Sequence, residues 1–490
     1  MHLPMLKALQ GYKVNVVSKV LSESAFREIC KLCKCQPDTK TIDCQDLEID
    51  KMFTEKEFVA LNSSKVPQDI FRLNNNRLTE IPSFPVLSIK VLNLHRNHIN
   101  KIENLAFYNL TLLEELDLSS NSLTTSALIP EVFAGHFSPS TYQPLENLKV
   151  LRLSHNDIHS LHDDLFEHMP VLEVLSLDYN PIMTIDHLTA IAISSISNLK
   201  FLDMSYMELK EIPTSLFNYP RDLQTLNLTG NLLTKIPDAL DYTPNLETLY
   251  LDENDIQWIG ADDGVFPALK KLKLLSLSYT TLKSIGEGAF SKLTALTTLM
   301  VTNNHHLSVI HENALSRKGE EDPRRLEYPP LKNLYLHNNN LTTLHSNMFP
   351  SYTTLDIVDI RFNPWICDCE NQWIISNLLP LIIKKHPTMN RDIVCNEPIA
   401  LVGMELNDLL HQDRKLRCLD KFNHTPQNDG TILVGILIGK ANWILIGIPM
   451  ALAIVFVYKR GCFGLSDNRG AAAYSRAFYK RAEAGDDFHI

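Results

Sequence analysis

The chain has 490 residues, 44% of them hydrophobic and 21% charged, enough apolar side chain to fold, which excludes a disordered or fibrous protein. Its 46 basic and 57 acidic side chains leave a net charge of −11, which excludes broad non-specific binding to nucleic acid. Length alone would suggest roughly two to four domains.

From the amino end, residues 1–29 form a segment with no apolar core of the kind a signal peptide needs; the longest candidate, Val14–Val20, is broken by Asn15, Ser18 and Lys19. The true start is therefore expected upstream, the alternative being export that depends on the apolar stretch near the carboxyl end. A first cysteine cluster follows, Cys30-x2-Cys33-x-Cys35-x8-Cys44, and a second lies far downstream, Cys367-x-Cys369-x25-Cys395-x22-Cys418. Two compact groups of four favour disulfide-stapled units in an oxidising compartment. Zinc is the competing reading for Cys30-x2-Cys33, but neither group offers two matched Cys-x2-Cys pairs. Cys462 is left over. Five Asn-x-Ser/Thr triplets, at Asn62, Asn109, Asn227, Asn340 and Asn423, are candidate glycosylation sites and place residues 1–430 outside the cell.

Between the cysteine clusters one frame recurs, L-x-x-L-x-L-x-x-N-x-L, as in Leu113–Leu123, Leu148–Ile158, Leu223–Leu233 and Leu331–Leu341. Twelve copies have their ninth residues at 76, 97, 121, 156, 180, 207, 231, 254, 280, 304, 339 and 363, all Asn except Met207 and Thr280. This resembles the leucine-rich repeat family in its extracellular form, over about residues 66–365. Alternation within x-L-x-L-x predicts a short strand, and stacking predicts a parallel sheet burying a leucine column that no single repeat could bury. The ninth-position Asn should turn inward and satisfy backbone groups of adjacent turns. Phe107, Phe166, Phe217, Phe290 and Phe349, each ten residues beyond a ladder position, should form a second column on the convex side. Two longer steps predict loops at about Thr124–Glu146 and Leu307–Pro330, the second carrying the mixed-charge run Arg317–Arg325, a solvated insertion and a protease target.

The second cysteine cluster, with Asn363-Pro364-Trp365 before it and Trp373 within it, resembles the family's C-terminal cap, and the first resembles its N-terminal cap. The resemblance implies the pairs Cys30–Cys35, Cys33–Cys44, Cys367–Cys395 and Cys369–Cys418; spacing by itself allows three pairings in each cluster. The domains expected are an N-terminal cap at 30–65, repeats at 66–365, a C-terminal cap at 366–420, a juxtamembrane linker at 421–431, a transmembrane helix at 432–458 and a cytoplasmic tail at 459–490. The fold class is thus an α/β leucine-rich repeat solenoid with its curved parallel sheet on the concave face, two disulfide caps and one span.

Ile432–Tyr458 carries a single charge, Lys440, and its Trp443–Tyr458 portion is uninterrupted apolar sequence, which suits a bilayer crossing. Residues 1–430 hold 39 basic against 53 acidic side chains, and the tail six against four. The expected location is the plasma membrane, single-pass, with the amino end outside. The tail is too short for a signalling domain of the Toll type. Cys462 is a lipidation candidate, and Phe488-x-Ile490 can add as a strand to a PDZ-type partner.

With scaffold positions set aside, positions 3, 5, 7 and 8 of each repeat face outward from the sheet. There the sequence places Asp178, Tyr179, Asp203 and Tyr206 on neighbouring repeats, with Tyr250, Asp252 and Tyr279 further along. Exposed tyrosine with interleaved aspartate suits a protein-binding surface, since tyrosine supplies large area at low entropy cost. A glycan on Asn227, also outward-facing, would restrict the middle of this arc. No Gly-x-Ser-x-Gly, His-Glu-x-x-His or phosphate loop occurs; His155, His159 and His162 need not share a face. The expectation is no enzyme, no cofactor and no metal. The function expected is recognition of an extracellular protein ligand or another membrane protein, as an adhesion molecule or co-receptor. An auxiliary subunit acting through span and tail is the alternative.

Overall fold

A computed structural model describes residues 29–63, 68–138, 141–260, 264–319, 322 and 324–418. The amino-terminal residues 1–28, Asn423, the apolar stretch 432–458, Cys462 and the carboxyl-terminal Phe488 and Ile490 lie outside them. Among the described residues no helix is long and apolar enough to cross a membrane.

Each repeat contributes a three-residue strand centred on the fourth position of the frame, such as Val91–Asn93, Val174–Ser176 or Asn333–Tyr335. Side chains alternate across the sheet, so the central residue, leucine in all but Phe71 and Val358, is buried, while its neighbours are mostly half-exposed, Ser176, Ser276 and Asp359 being buried polar exceptions. Fourteen strands of the described residues join in one sheet, from Lys34–Gln36 to Ile357–Asp359, in chain order. Only the first pair, Lys34–Gln36 with Thr41–Asp43, is antiparallel. From Thr41 onward pairing is parallel and in strict register, with Leu92, Leu116, Leu151, Leu175, Leu202, Leu226, Leu249, Leu275, Leu299 and Leu334 side by side. All are buried; each fully buried leucine is worth roughly 1.5–3 kcal/mol against exposure.

The inward asparagines do what the repeat pattern predicts. Asn97 Nδ2 donates to Leu73 O of the preceding repeat and Leu94 O of its own (both 3.0 Å), while its Oδ1 accepts from Leu78 N–H. Asn156, Asn180, Asn231, Asn254 and Asn363 repeat the arrangement. Where Thr280 interrupts the series, its backbone N–H and hydroxyl both donate to Asn304 Oδ1. Met207 fills the other gap with a fully buried apolar side chain.

Phe107, Phe166, Phe217, Phe290 and Phe349 are all buried, each in the return between two strands of the sheet. The column has further members outside that register. Phe53, Phe58, Phe71, Phe84, Phe107 and Phe133 run in continuous ring contact at 5.7–6.3 Å between centroids, and Phe266 meets Phe290 at 5.9 Å. Phe133 comes from the first long insertion, which holds the short helix Pro130–Phe133 and a hairpin of His136–Ser138 with Thr141–Gln143. The second insertion closes as a hairpin of Arg317–Lys318 with Leu326–Glu327. A helix at His187–Ser194, capped by Asp186, occupies the long return of one repeat.

Both ends carry disulfides. Cys30 bonds Cys35, Cys33 bonds Cys44 and Cys367 bonds Cys395, as the resemblance implied; Cys369 and Cys418 are each disulfide-bonded as well. Beneath the C-terminal cap Trp365 is fully buried, its indole N–H donating to Ile360 O at 3.1 Å. The chain then covers the last repeat with a helical stretch over Ile374–Lys385 and the helix Leu406–His411.

Candidate functional site

The eighth position of every repeat adopts the left-handed backbone region. Asn75, Arg96, Ser120, His155, Tyr179, Tyr206, Gly230, Glu253, Tyr279, Asn303, Asn338 and Phe362 all have φ between 52° and 69°. This conformation is costly for a residue with a Cβ. It is held because the chain must leave the strand sharply, and because the N–H freed at that corner donates to a carbonyl of the next repeat, as from Tyr179 to Ser205 O (3.0 Å) and Tyr206 to Thr229 O (2.8 Å). A column of side chains is thereby presented in one orientation, repeat after repeat.

In the middle of the chain that column is aromatic. The His155 and Tyr179 rings stack with centroids 4.1 Å apart and planes within 10°, and Tyr179 stacks on Tyr206 at 4.4 Å and 14°. Tyr206 then lies over Gly230. A Cβ at Gly230 would run into the Tyr206 ring, so glycine is what lets the ring lie there; the left-handed backbone alone does not demand it, since the other eighth positions adopt it with side chains. Across that gap the Tyr206 hydroxyl donates to Glu253 Oε1 at 3.0 Å. Desolvation, with the Glu253 hydrogen bond and charge behind it, pushes the Tyr206 phenol up to about 12. The tyrosine therefore stays a neutral donor across the physiological range. Tyr279, one repeat beyond Glu253, is 61% exposed.

The aspartates of the same region are tied to the scaffold. Ser154 Oγ donates to Asp178 Oδ1. Asp203 accepts from Ser205 N–H (3.0 Å), from Ser205 Oγ (2.6 Å) and from Asn227 Nδ2 (2.9 Å). Asp252 accepts from Ser276 Oγ and Ser278 N–H, both at 2.6 Å. Burial pushes the Asp178 carboxyl up, against the Ser154 hydrogen bond and with the help of the Asp203 charge; burial likewise raises Asp252. At the far end of the face Asp359 behaves oppositely. Burial would raise it, but Arg361, with bonds of 2.9 and 2.7 Å, and His337 Nδ1, 3.1 Å away, hold its carboxyl well below the usual range.

Of the residues nominated from sequence, Asp178, Tyr179, Asp203 and Tyr206 come together, and Tyr250 and Asp252 follow in the repeat beyond Gly230, Tyr250 at the end of its strand and Asp252 in the turn after it. His155, Gly230 and Glu253 complete the arrangement and were not nominated, although all three share the eighth-position register with Tyr179 and Tyr206. Asn227 is half-buried in its strand with its amide engaged by Asp203. Asn109 Nδ2 donates to Phe84 O at 2.8 Å, Asn340 is exposed and Asn62 falls within the helix Glu55–Ser63. Among the described residues no three His, Cys, Asp or Glu side chains converge as metal ligands.

Comparison with known proteins agrees with this architecture. The family model described as Leucine rich repeat matches residues 87–138, 134–182, 146–209, 197–256 and 260–305. The chain is a leucine-rich repeat solenoid closed by disulfide-bonded caps. Among similar proteins, podocan-like protein 1 of Mus musculus is 29% identical over 295 residues, 59% of this chain and 47% of its own. The CD180 antigen of Mus musculus is 27% identical over 337 residues, 68% of this chain and 42% of its own. A chain in the solved Toll–Spatzle complex of Drosophila is 20% identical with a TM-score of 0.45, over 74% of this chain and 56% of that one. The chain spans about half the length of the curated relatives it matches.

Proposed function

We propose that this is a cell-surface recognition protein that binds a protein ligand on its sheet face, centred on the stacked rings of His155, Tyr179 and Tyr206. The single observation that carries the reading is that stack. It holds a run of aromatic surface, Tyr179 itself 44% exposed, in one fixed geometry before any partner arrives. Ordering contact side chains costs roughly 0.5–1.5 kcal/mol apiece on binding, and a pre-stacked, hydrogen-bonded ladder has already met that cost. Aromatic anchors of this kind dominate the energetics of protein interfaces. The disulfides support exposure to an oxidising compartment, and the apolar stretch 432–458 is the proposed anchor to the plasma membrane. On this reading it acts as an adhesion molecule or co-receptor, through the partner it binds.

The test uses the full chain on living cells. Proximity labelling should capture a partner set with the unchanged protein, and Tyr179→Ala with Tyr206→Ala should remove the ligand from it at equal surface expression. Capture of the same proteins in the same yield by the double variant would sink the proposal.

A further inference from the structure

The two borders of the sheet treat charge differently. Along the second position of the frame, opposite charges alternate from repeat to repeat and neutralise one another, as in Lys90 with Glu114 (3.1 Å), Lys200 with Glu173 (2.9 Å) and Lys273 with Glu247 (2.7 Å). The ladder side has no such balance. Over the repeats from Asp178 to Asn304, positions 3, 5, 7, 8 and 10 carry Asp178, Asp203, Glu208, Asp252, Glu253 and Asp255, and no lysine or arginine. The cations that flank this stretch in the same positions are Arg152, paired with Glu115, and Arg361, bound to Asp359. Among the described residues none of these six carboxylates forms an ion pair; Asp203, Asp252, Glu253 and Asp255 take their hydrogen bonds from serine, threonine, asparagine and tyrosine.

Beyond the aromatic stack this side opens into a shallow depression. Glu253 and Asp255 stand in its wall, with Leu232, Tyr279 and Thr281 beside them and the ladder residues Asn231 and Asn254 at its base. Tyr279 is largely exposed and Leu232 is 45% exposed. An apolar wall and an aromatic face beside two carboxylates are complementary to one kind of side chain, a long aliphatic stem ending in a cation. The stem packs on Leu232, the cation meets the Tyr279 ring and the carboxylates, and both gains are larger than they would be in open water.

We propose that the ligand presents a lysine- or arginine-rich protein segment along this border, with one cationic side chain seated in the depression between Glu253, Asp255 and Tyr279. The inference deepens the reading that the sheet face binds a protein, and supplies the chemistry of the partner. Unpaired charge of one sign steers association and selects the partner's sign, and its loss is felt most where the charge is contacted directly.

The probe is a fluorescein-labelled peptide of alternating Arg and Ser, titrated by fluorescence anisotropy against the purified full chain in detergent. Saturable binding that weakens with added salt is expected, falling by about tenfold in Glu253→Gln with Asp255→Asn and falling also in Tyr279→Ala. The control is Asp163→Asn with Asp164→Asn, an exposed acidic pair away from the sheet, and it should bind as the unchanged chain does. Absent saturable binding, unchanged affinity in the Glu253 and Asp255 variant, or an equal fall in the control would each overturn the proposal. The outcome separates from the fate of the parent reading. Ligand capture lost in the Tyr179 and Tyr206 variant, together with no peptide binding, would keep the recognition face and remove the cationic partner. Peptide binding that needs Glu253 and Asp255, with cellular capture unaffected by the tyrosine changes, would keep the cation site and remove the ladder as the ligand's contact.

Discussion

The side chain of Asn231 commits its whole hydrogen-bonding capacity to backbone that no regular ladder serves. Its Nδ2 donates to Met204 O and Leu228 O (both 2.9 Å), and its Oδ1 accepts from Met207 N–H (3.2 Å) and Leu209 N–H (3.0 Å). Replacing it by alanine leaves two buried donors, Met207 N–H and Leu209 N–H, and one acceptor, Met204 O, unmet, while Leu228 O keeps its bond from Asn254 Nδ2; each unmet group that water cannot reach costs about 1–3 kcal/mol. Asn231→Ala should therefore lower unfolding stability by roughly 3 kcal/mol or more, read from the denaturant midpoint. Asp252 makes the opposite case. Its folded carboxyl is raised by burial, so the fold prefers the protonated form. Below the unfolded carboxylate range that preference contributes in full, and it is lost as pH rises through the raised folded value. Asp252→Asn keeps an acceptor for Ser276 and Ser278 without the charge. Its melting temperature relative to the unchanged chain should climb from acid toward neutral pH and then level off. A difference that does not change with pH would contradict the assigned cause. The ladder asparagines were legible in sequence because their role recurs in ten of the twelve copies. His155, Gly230 and Glu253 were harder to see, since their importance comes from what stands one repeat away.

At the scale of elements, the strands were legible and the returns were not. A three-residue strand centred on leucine is specified by local alternation, so every one of the repeat strands falls where the frame puts it. The returns differ in length and have no shared pattern. The helix His187–Ser194 reads as a plain apolar run, HLTAIAIS, and its start is set by Asp186, whose side chain accepts from Thr189 N–H at 2.8 Å. Asp186→Ala should cost about 1 kcal/mol, visible as a small loss in thermal stability and as faster amide exchange confined to His187–Ser194. The long insertions, expected as loops and the second as a solvated one, fold into hairpins. The first also sends Phe133 into the phenylalanine column against Phe107. Sequence offered no register for Phe84, Phe133 or Phe266, because each reaches the column from a return of irregular length.

For the whole molecule, stability follows from stacking. Each repeat touches only its neighbours, so the ends matter more than their size suggests. The Cys367–Cys395 bond closes a loop across a sequence separation of 28 residues, and its loss should cost about 2–4 kcal/mol. In Cys367→Ser with Cys395→Ser, hydrogen exchange should rise first in Ile357–Asp359 and Asn333–Tyr335 and last in Val150–Arg152; a uniform rise along the sheet would show that the cap does not act locally. Composition and repeat pattern by themselves determined the solenoid, the leucine column, the asparagine ladder and the placing of caps at its two ends, because each is a periodic or local property and stacking multiplies a weak signal by the number of copies. The cysteine pairing came from the family resemblance, since spacing left three choices in each cluster. Only the tertiary structure decided which outward residues act together. The left-handed corner at every eighth position aligns side chains some two dozen residues apart, so His155, Tyr179 and Tyr206 become one stack. Gly230 leaves room for the last ring, and Glu253 receives its hydroxyl. The same alignment gathers the uncompensated acids along one border, where net charge summed over the chain had shown only a mild excess. Contacts of that kind depend on distance in space between repeats, which a reading along the chain does not measure.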